Sequence, residues 1–388
     1  MNQRKVFKIW GLMVLVMLLM IMLKQTGVQA DKKPPAVMAE KGITLDISRK
    51  FYKSQVIKKF IDDLSKYPNS FLQLHMTDNQ NLAVEMSAVG QTTEKNAIYQ
   101  DGQWINTQTN RPFLSKKELV DLVAYARSKN VVLIPEVEAP AHMQAILDLL
   151  KVNDPERYDA IKLPDGAPEQ FNLIDYSKVE SLKFVQEILA EYTPLFAGQA
   201  KRYFHIGVDE IDWLPVESNM NLVNYVNALD NFLKSQGYTT RMWNDRVAKA
   251  DLPAYNKDIQ ITYWTQIGGW DINSTDERAT LGRKYTASAQ ELLYAGFKVL
   301  NYNAYYTYFL PGQRMWQPES YAYTINDLVE NWDLSKFELN SGNQVRTTEN
   351  VVGSALSFWG EEAGDYTDSQ IQKKMQDFVK AYLKKKDE

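Results

Sequence analysis

Asp209 and Glu210 are adjacent carboxylates at the end of an apolar run, Tyr203–Val208. Two such groups resist ionising together, and the repulsion can lift one pKa into the range a general acid needs. With a period of two, His205, Gly207 and Asp209 share one face of that run, and Glu210 falls at the turn. Gly207 leaves space where a ligand approaches. An isolated Asp-Glu dipeptide is most often a loop cap; at the end of a buried strand it reads as a catalytic pair. The chain has three histidines, and each lies at such a run's end: His75-Met-Thr-Asp78, Glu136-Val-Glu138-Ala-Pro-Ala-His142 and His205 itself. Other ends carry Asp46-Ile-Ser-Arg49, Trp243-Asn-Asp245, Trp264, Tyr302 to Tyr308 and Trp359-Gly-Glu361-Glu362.

Other chemistries fit less well. A metal site would need the histidines to converge, yet no His-x-His or His-Glu-x-x-His occurs, and Glu138-x-x-x-His142 is weak alone. No metal or cofactor is expected. Phosphate-cradling glycine patterns and a Gly-x-Ser-x-Gly nucleophile are missing, and with no cysteine there is no thiol nucleophile. The chain holds 9 Trp, 22 Tyr and 15 Phe, many flanked by polar residues, as in Asn301-Tyr-Asn-Ala-Tyr-Tyr-Thr-Tyr308. Aromatic faces stack on the apolar faces of sugars, which suits a carbohydrate cleft; barrel cores also need aromatic filler.

Eight apolar runs must carry these groups: Ile43–Ile47, Phe71–His75, Val131–Val137, Tyr203–Val208, Thr240–Trp243, Ile259–Trp264, Lys298–Tyr302 and Val352–Phe358. Amphipathic stretches lie between most of them, including Gln55–Leu64, Lys117–Ser128, Val179–Tyr192, Asn221–Ser235, Ala289–Leu293, Ile325–Glu330 and Ile371–Leu383. Strand–helix alternation repeated eight times predicts an α/β protein with a single (β/α)₈ TIM barrel; an open doubly wound sheet is the alternative. The fifth unit is degenerate, because Pro253 sits where its helix should be. Segments 77–112 and 153–170 read as long loops that shape a site.

Arg4, Lys5 and Lys8 precede an uncharged run from Ile9 to Leu23, and Val28-Gln29-Ala30 offers a small-residue cleavage site. That is a secretory signal over 1–30, with an uncleaved anchor as the alternative. A linker over 31–41 and a catalytic barrel over 42–388 follow. Removing the four positive charges of Arg4, Lys5, Lys8 and Lys24 takes the net charge from −4 to −8. An acidic chain without a basic cluster is not expected to bind nucleic acid, nor a membrane once the signal is gone. The absence of cysteine suits a secreted or cell-surface bacterial protein.

The sequence resembles glycoside hydrolase family 20, the β-N-acetylhexosaminidases. Matching segments run in order from Gly42 to the C-terminal region. They include Leu45-Asp-Ile-Ser-Arg49, His75-Met-Thr-Asp78, Ile134-Pro-Glu-Val-Glu-Ala-Pro-Ala-His142, Phe204-His-Ile-Gly-Val-Asp-Glu210, Thr240-Arg-Met-Trp-Asn-Asp245, Val299–Tyr308 and Ala355-Leu-Ser-Phe-Trp-Gly-Glu361. The resemblance implies a retaining, substrate-assisted mechanism in which the 2-acetamido oxygen attacks the anomeric carbon to give an oxazolinium ion. It implies Glu210 as acid and base, Asp209 orienting the acetamido group, Tyr308 holding its oxygen, and an Asp78–His142 relay behind Glu210. Trp243, Trp264 and Trp359 would box the sugar, Arg49 and Glu361 would bind hydroxyls of its terminal ring, and Trp213 would stand at the mouth. The substrate implied is a glycan ending in N-acetylglucosamine, with the biofilm polymer poly-β-1,6-N-acetylglucosamine favoured and exo cleavage expected.

The departures fall around the pair and on the leaving-group side. Val208 replaces a glycine usual in the family, Glu138 an aspartate, and Trp213 a tyrosine, while the loop Thr265-Gln-Ile-Gly-Gly-Trp-Asp271 lacks an expected acid. Two other readings therefore stay open: a general hexosaminidase on β-1,4 chitin-type, peptidoglycan or host-glycan termini, and a non-catalytic surface glycan-binding protein.

Overall fold

The computed structural model describes residues 39–164, 173–211, 214–269, 271, 273–339 and 344–385. The signal proposed over 1–30 and most of the linker lie outside them, as does Trp213.

Eight strands form one closed parallel sheet: β1 (Glu40–Asp46), β2 (Ser70–His75), β3 (Val132–Ala139), β4 (Tyr203–Gly207), β5 (Thr239–Trp243), β6 (Gln260–Tyr263), β7 (Lys298–Asn301) and β8 (Val351–Phe358). Each pairs with the next, and β8 returns to β1 with Ile43 opposite Leu356. That closure excludes the open sheet and establishes a TIM barrel, with a two-residue strand, Tyr308–Phe309, added beside β8.

Alternation along each strand divides the core in two. Leu72, Leu133, Val299 and Leu356 point outward into the large apolar layer beneath the helices. Their neighbours Phe71, Ile134, Leu300 and Ala355 pack inside the barrel with Trp243, Tyr302 and Trp359. The helices follow from apolar spacing and caps. Ser54–Leu64 buries Val56, Ile57, Phe60, Ile61 and Leu64; Lys116–Ser128 starts at a capping box between Ser115 and Glu118 and buries Leu119, Leu122, Val123 and Ala126.

The barrel interior also holds polar groups, and several of them pair with one another. Glu136 accepts from Gln73 Nε2 at 2.8 Å and Trp243 Nε1 at 3.0 Å, and Tyr302 donates to Gln73 at 2.9 Å. Arg241, fully buried, pairs with Glu40 at 2.5 Å and lies 3.8 Å over the Tyr203 ring. Buried polar groups are tolerated only with such partners.

The fifth helix is indeed reduced to a 3₁₀ segment, Lys249–Ala254, with Pro253 inside it. Segment 77–112, expected as loop, instead contains a three-stranded antiparallel sheet of Ala97–Gln100, Gln103–Asn106 and Pro112–Phe113. Its strands are too short and polar to show alternation, but the hairpin turn Asp101-Gly102, both at positive φ, is a recognisable signal. The 153–170 segment likewise begins with a short helix, Pro155–Ile161, behind the Asp154 cap. A helix over Glu277–Tyr285 was not evident because it buries only Ala279 and Gly282.

Candidate active site

At the end of β4 the backbone leaves the strand abruptly. Gly207, Val208 and Glu210 have φ of +72°, +78° and +47°. Val208 is a β-branched residue in the left-handed region, a conformation that costs about 1–3 kcal/mol and persists where surrounding structure enforces it. It is also the position at which the sequence departs from glycine. These turns, more than strand alternation, carry both Asp209 and Glu210 into one cleft. Gly207 does not make room for a ligand: a Cβ there would lie 2.3 Å from Oε2 of Glu138, so the space belongs to that carboxyl.

The cleft is a cavity of about 880 Å³ at the C-terminal ends of the strands, lined in part by Asp209, Glu210, Trp243, Trp264, Tyr308 and Trp359. Trp264 and Tyr308 stack with centroids 6.0 Å apart and planes 6° from parallel, while Trp359 lies edge-on to Tyr308 at 5.6 Å. Trp243 forms the floor, 6.0 Å from Trp359, with its Nε1 held by Glu136. Asp245 staples two walls together, accepting from the Glu210 backbone N–H at 3.1 Å and from Trp264 Nε1 at 3.3 Å. Arg49 and Glu361 line the same cavity.

A chain of charges runs behind the pair. Asp46 accepts from Arg49 Nη1 at 3.1 Å and from Gly360 N at 2.9 Å, tying the ends of β1 and β8. Arg49 Nη2 reaches Asp78 at 2.6 Å, and Asp78 also holds His75 Nε2 at 3.0 Å. His142 Nδ1 is 4.0 Å from Asp78 and 3.3 Å from Asn79 Nδ2; its Nε2 lies 3.4 Å from Glu210 and 3.7 Å from Asp209. His142 therefore bridges Asp78 to both carboxylates.

Burial opposes charge on His142, but Asp209, Glu210 and Asp78 outweigh it and raise its pKa. Burial also opposes ionisation of Asp78, yet His75, Arg49 and His142 hold it at about 2. The carboxylate pair departs from the simple repulsion argument. Burial raises Asp209, whereas Glu210, despite burial, is pulled down to about 2 by His142 and Arg278. Glu210 is thus the more readily ionised member, because two cations, His142 and Arg278, reach it from elsewhere in the chain. Burial, Asp209 and Glu136 push Glu138 well above the carboxylate range, so it is neutral and can donate to Asp209. Burial, then Asp209 and other carboxylates, likewise keep the Tyr308 phenol protonated.

All the expected site residues among the described positions, except the more distant His205, meet in or directly behind this cleft. His205 lies deeper, between Thr262 at 2.8 Å and Glu136 at 3.3 Å, and burial lowers its pKa to about 4. Sequence reasoning missed Arg278, whose Nη2 donates to Glu210 Oε1 at 3.0 Å, and the roles of Glu138, Asp46 and Asp245 as props. Among the described residues, one group could share an ion: His75, Glu136 and Glu138. There His75 Nδ1 lies 3.4 Å from Glu136 and 3.5 Å from Glu138, and Glu136, Asp78 and Asp46 overcome burial and raise His75 to about 10.

Residues 40–375 match the catalytic domain of glycosyl hydrolase family 20. The fold superimposes on the crystal structure of dispersin B with a TM-score of 0.81 and 37% identity, over 89% of this chain and 98% of that one. A lacto-N-biosidase of Bifidobacterium bifidum is 23% identical over 290 residues, 68% of this chain and 22% of its own length. A β-hexosaminidase of Vibrio furnissii is 24% identical over 182 residues, 44% and 28% of the two chains. The chain spans about a quarter of the length of these curated relatives.

Proposed function

The chain belongs to glycosyl hydrolase family 20, and from that premise we propose that it is an exo-acting, retaining β-N-acetylglucosaminidase using substrate-assisted catalysis. The observation that carries this reading is the convergence of Asp209, Glu210 and Tyr308 on one aromatic-walled cavity.

The terminal N-acetylglucosamine enters between Trp243, Trp264 and Trp359, with Arg49 and Glu361 toward its ring hydroxyls. Its acetamido oxygen attacks C1 while the glycosidic C1–O bond breaks and the leaving oxygen takes the proton of Glu210. Asp209, propped by the neutral Glu138, orients the acetamido N–H and balances the positive charge of the oxazolinium ion. Preorganised charge of this kind is often the largest catalytic term. Tyr308 donates to the acetamido oxygen from the other side. Water then attacks C1, Glu210 takes its proton, the oxazoline ring opens, and the sugar leaves with its configuration retained. His142 and Asp78 set the charge on Glu210 between the two steps. Arg49 and Glu361, set at the hydroxyls of the terminal ring, favour cleavage from the chain end.

The substrate we propose is poly-β-1,6-N-acetylglucosamine, reached after export directed by residues 1–30. The overlap with nearly all of dispersin B supports it. The hexosaminidase relatives and the altered 265–271 loop support the second reading, a general hexosaminidase on β-1,4 termini. Incubation of the mature protein with defined β-1,6 and β-1,4 oligomers decides: preferential release of monosaccharide from the β-1,6 series supports the first, and preference for chitin oligomers supports the second.

A further inference from the structure

We propose that Arg278 is a positioning residue of the leaving-group half of the cleft: it holds the Glu210 carboxylate, yields to the leaving-group sugar for the acid step, and returns for the water step. The inference rests on the assignment of Glu210 as acid and base.

The geometry is specific. Glu210 offers two oxygens. Oε2 faces His142 at 3.4 Å, and Oε1 is held by Arg278 Nη2 at 3.0 Å. The oxygen left to meet a leaving group is therefore the one Arg278 occupies. Arginine has donors only, so it favours the carboxylate form, and its bond weakens once Oε1 carries the proton. A Glu210 about to donate that proton to a leaving group has Arg278 as a competitor for the same oxygen, and a Glu210 about to accept one from water is helped by it.

The segment that carries Arg278 is built for this contact. Gly268 has φ +73°, and a Cβ there would lie 2.5 Å from the Arg278 guanidinium carbon, so its bare backbone forms the slot in which the side chain lies. The helix Glu277–Tyr285 closes on the loop at Gly282, where a Cβ would sit 2.6 Å from the Gln266 carbonyl oxygen. The loop is pinned by Gln266 N to Glu338 at 2.9 Å and by Asn244 Nδ2 to the Thr265 carbonyl at 2.6 Å. Arg278 is the second residue of that helix, where the dipole disfavours a cation. Its placement therefore does not serve the helix.

Charges face Glu210 from each packed element: His142 from the segment after β3, Asp245 after β5, Arg278 from its helix, and Asp209 alongside. Of the two cations, Arg278 is the one that holds Oε1.

The test compares wild-type mature protein with Arg278→Gln and Arg278→Lys, using pH profiles of kcat/KM. Two aryl N-acetylglucosaminides serve as substrates, one with a leaving group that needs protonation and one, dinitrophenyl, that does not. For the first, the alkaline limb reports protonated Glu210; losing Arg278 is expected to move it up by roughly one pH unit or more, with Lys between. The dinitrophenyl substrate needs no such proton, so its alkaline pH dependence is expected not to respond to the loss of Arg278, while kcat at acidic pH falls because the water step needs ionised Glu210. An unmoved limb, or equal shifts for both substrates, overturns the proposal. Gly268→Ala, which crowds the guanidinium out of its slot, is expected to shift the limb the same way and serves if Arg278→Gln folds poorly. If Glu210→Gln abolishes hydrolysis of the first substrate while these variants leave the limb unmoved, only this inference fails. If Glu210→Gln keeps full activity, the catalytic reading fails with it.

Discussion

Gly207 and Glu138 fit together across β3 and β4: a side chain on Gly207 would begin 2.3 Å from Oε2 of Glu138. Glu138 is the neutral carboxyl that faces Asp209, so the smallest residue of β4 sets the position of a catalytic candidate two residues later. Gly207→Ala is expected to destabilise the protein by about 1–3 kcal/mol, the range for overpacking a filled core. It should also lower kcat/KM by roughly tenfold or more as Asp209 shifts. Thermal melts and kinetics check this; an alanine variant with unchanged Tm and rate would show that Glu138 has room to spare.

Tyr308 combines a stacking face with a hydroxyl, and Tyr308→Phe separates them. The ring should remain against Trp264, so KM is expected to change little. Loss of the donor at the acetamido oxygen should lower kcat by about 10²–10³-fold, as for other preorganised donors. A raised KM with unchanged kcat would make Tyr308 a binding residue only.

His75 is buried, yet Glu136, Asp78 and Asp46 raise its pKa to about 10. A histidine raised in the folded state stabilises fully below its unfolded pKa of about 6.5, and that contribution is lost as pH rises through the folded value. The Tm advantage of wild type over His75→Gln should therefore be greatest near pH 6 and shrink toward pH 10. A gap independent of pH would mean that His75 is neutral throughout.

Glu338 supports the loop that leads to Arg278. Its Oε1 accepts from Tyr263 at 2.8 Å and Gln266 N at 2.9 Å, and burial raises its pKa to about 7. The unfolded chain ionises it near pH 4.5, so stability from this group declines between pH 4.5 and 7. Glu338→Gln keeps an oxygen for both donors without the buried charge. Its Tm at pH 8 is expected to equal or exceed wild type, while Glu338→Ala should lower both Tm and activity. A Tm loss for Glu338→Gln as large as for Ala would contradict this.

Much of this was legible because the strands are apolar runs and the functional groups sit where those runs stop. Asp78, His142, Asp209 and Glu210 could each be placed at a strand end, and closure of the barrel brings those ends together. What could not be read was the environment each group meets. Repulsion within the Asp209-Glu210 dipeptide suggests a raised acid, but His142 and Arg278, the latter 68 residues away on a polar helix with almost no buried face, reverse the sign for Glu210. Gly207 was noticed and its neighbour was not, since β3 and β4 meet only in the folded barrel. Val208 was recognised as a departure from glycine, and its positive φ gives that observation its physical meaning.

The central claim is that the substrate's own acetamido oxygen is the nucleophile, guided by Asp209 and Tyr308. A series of aryl β-N-acetylglucosaminides carrying zero to three fluorines on the acetyl methyl tests it most directly, because each fluorine weakens that oxygen without altering the leaving group. With the acetamido oxygen as nucleophile, kcat/KM is expected to fall steeply and progressively along the series, by roughly an order of magnitude or more overall. Rates indifferent to fluorination would place the nucleophile on the protein and contradict the mechanism.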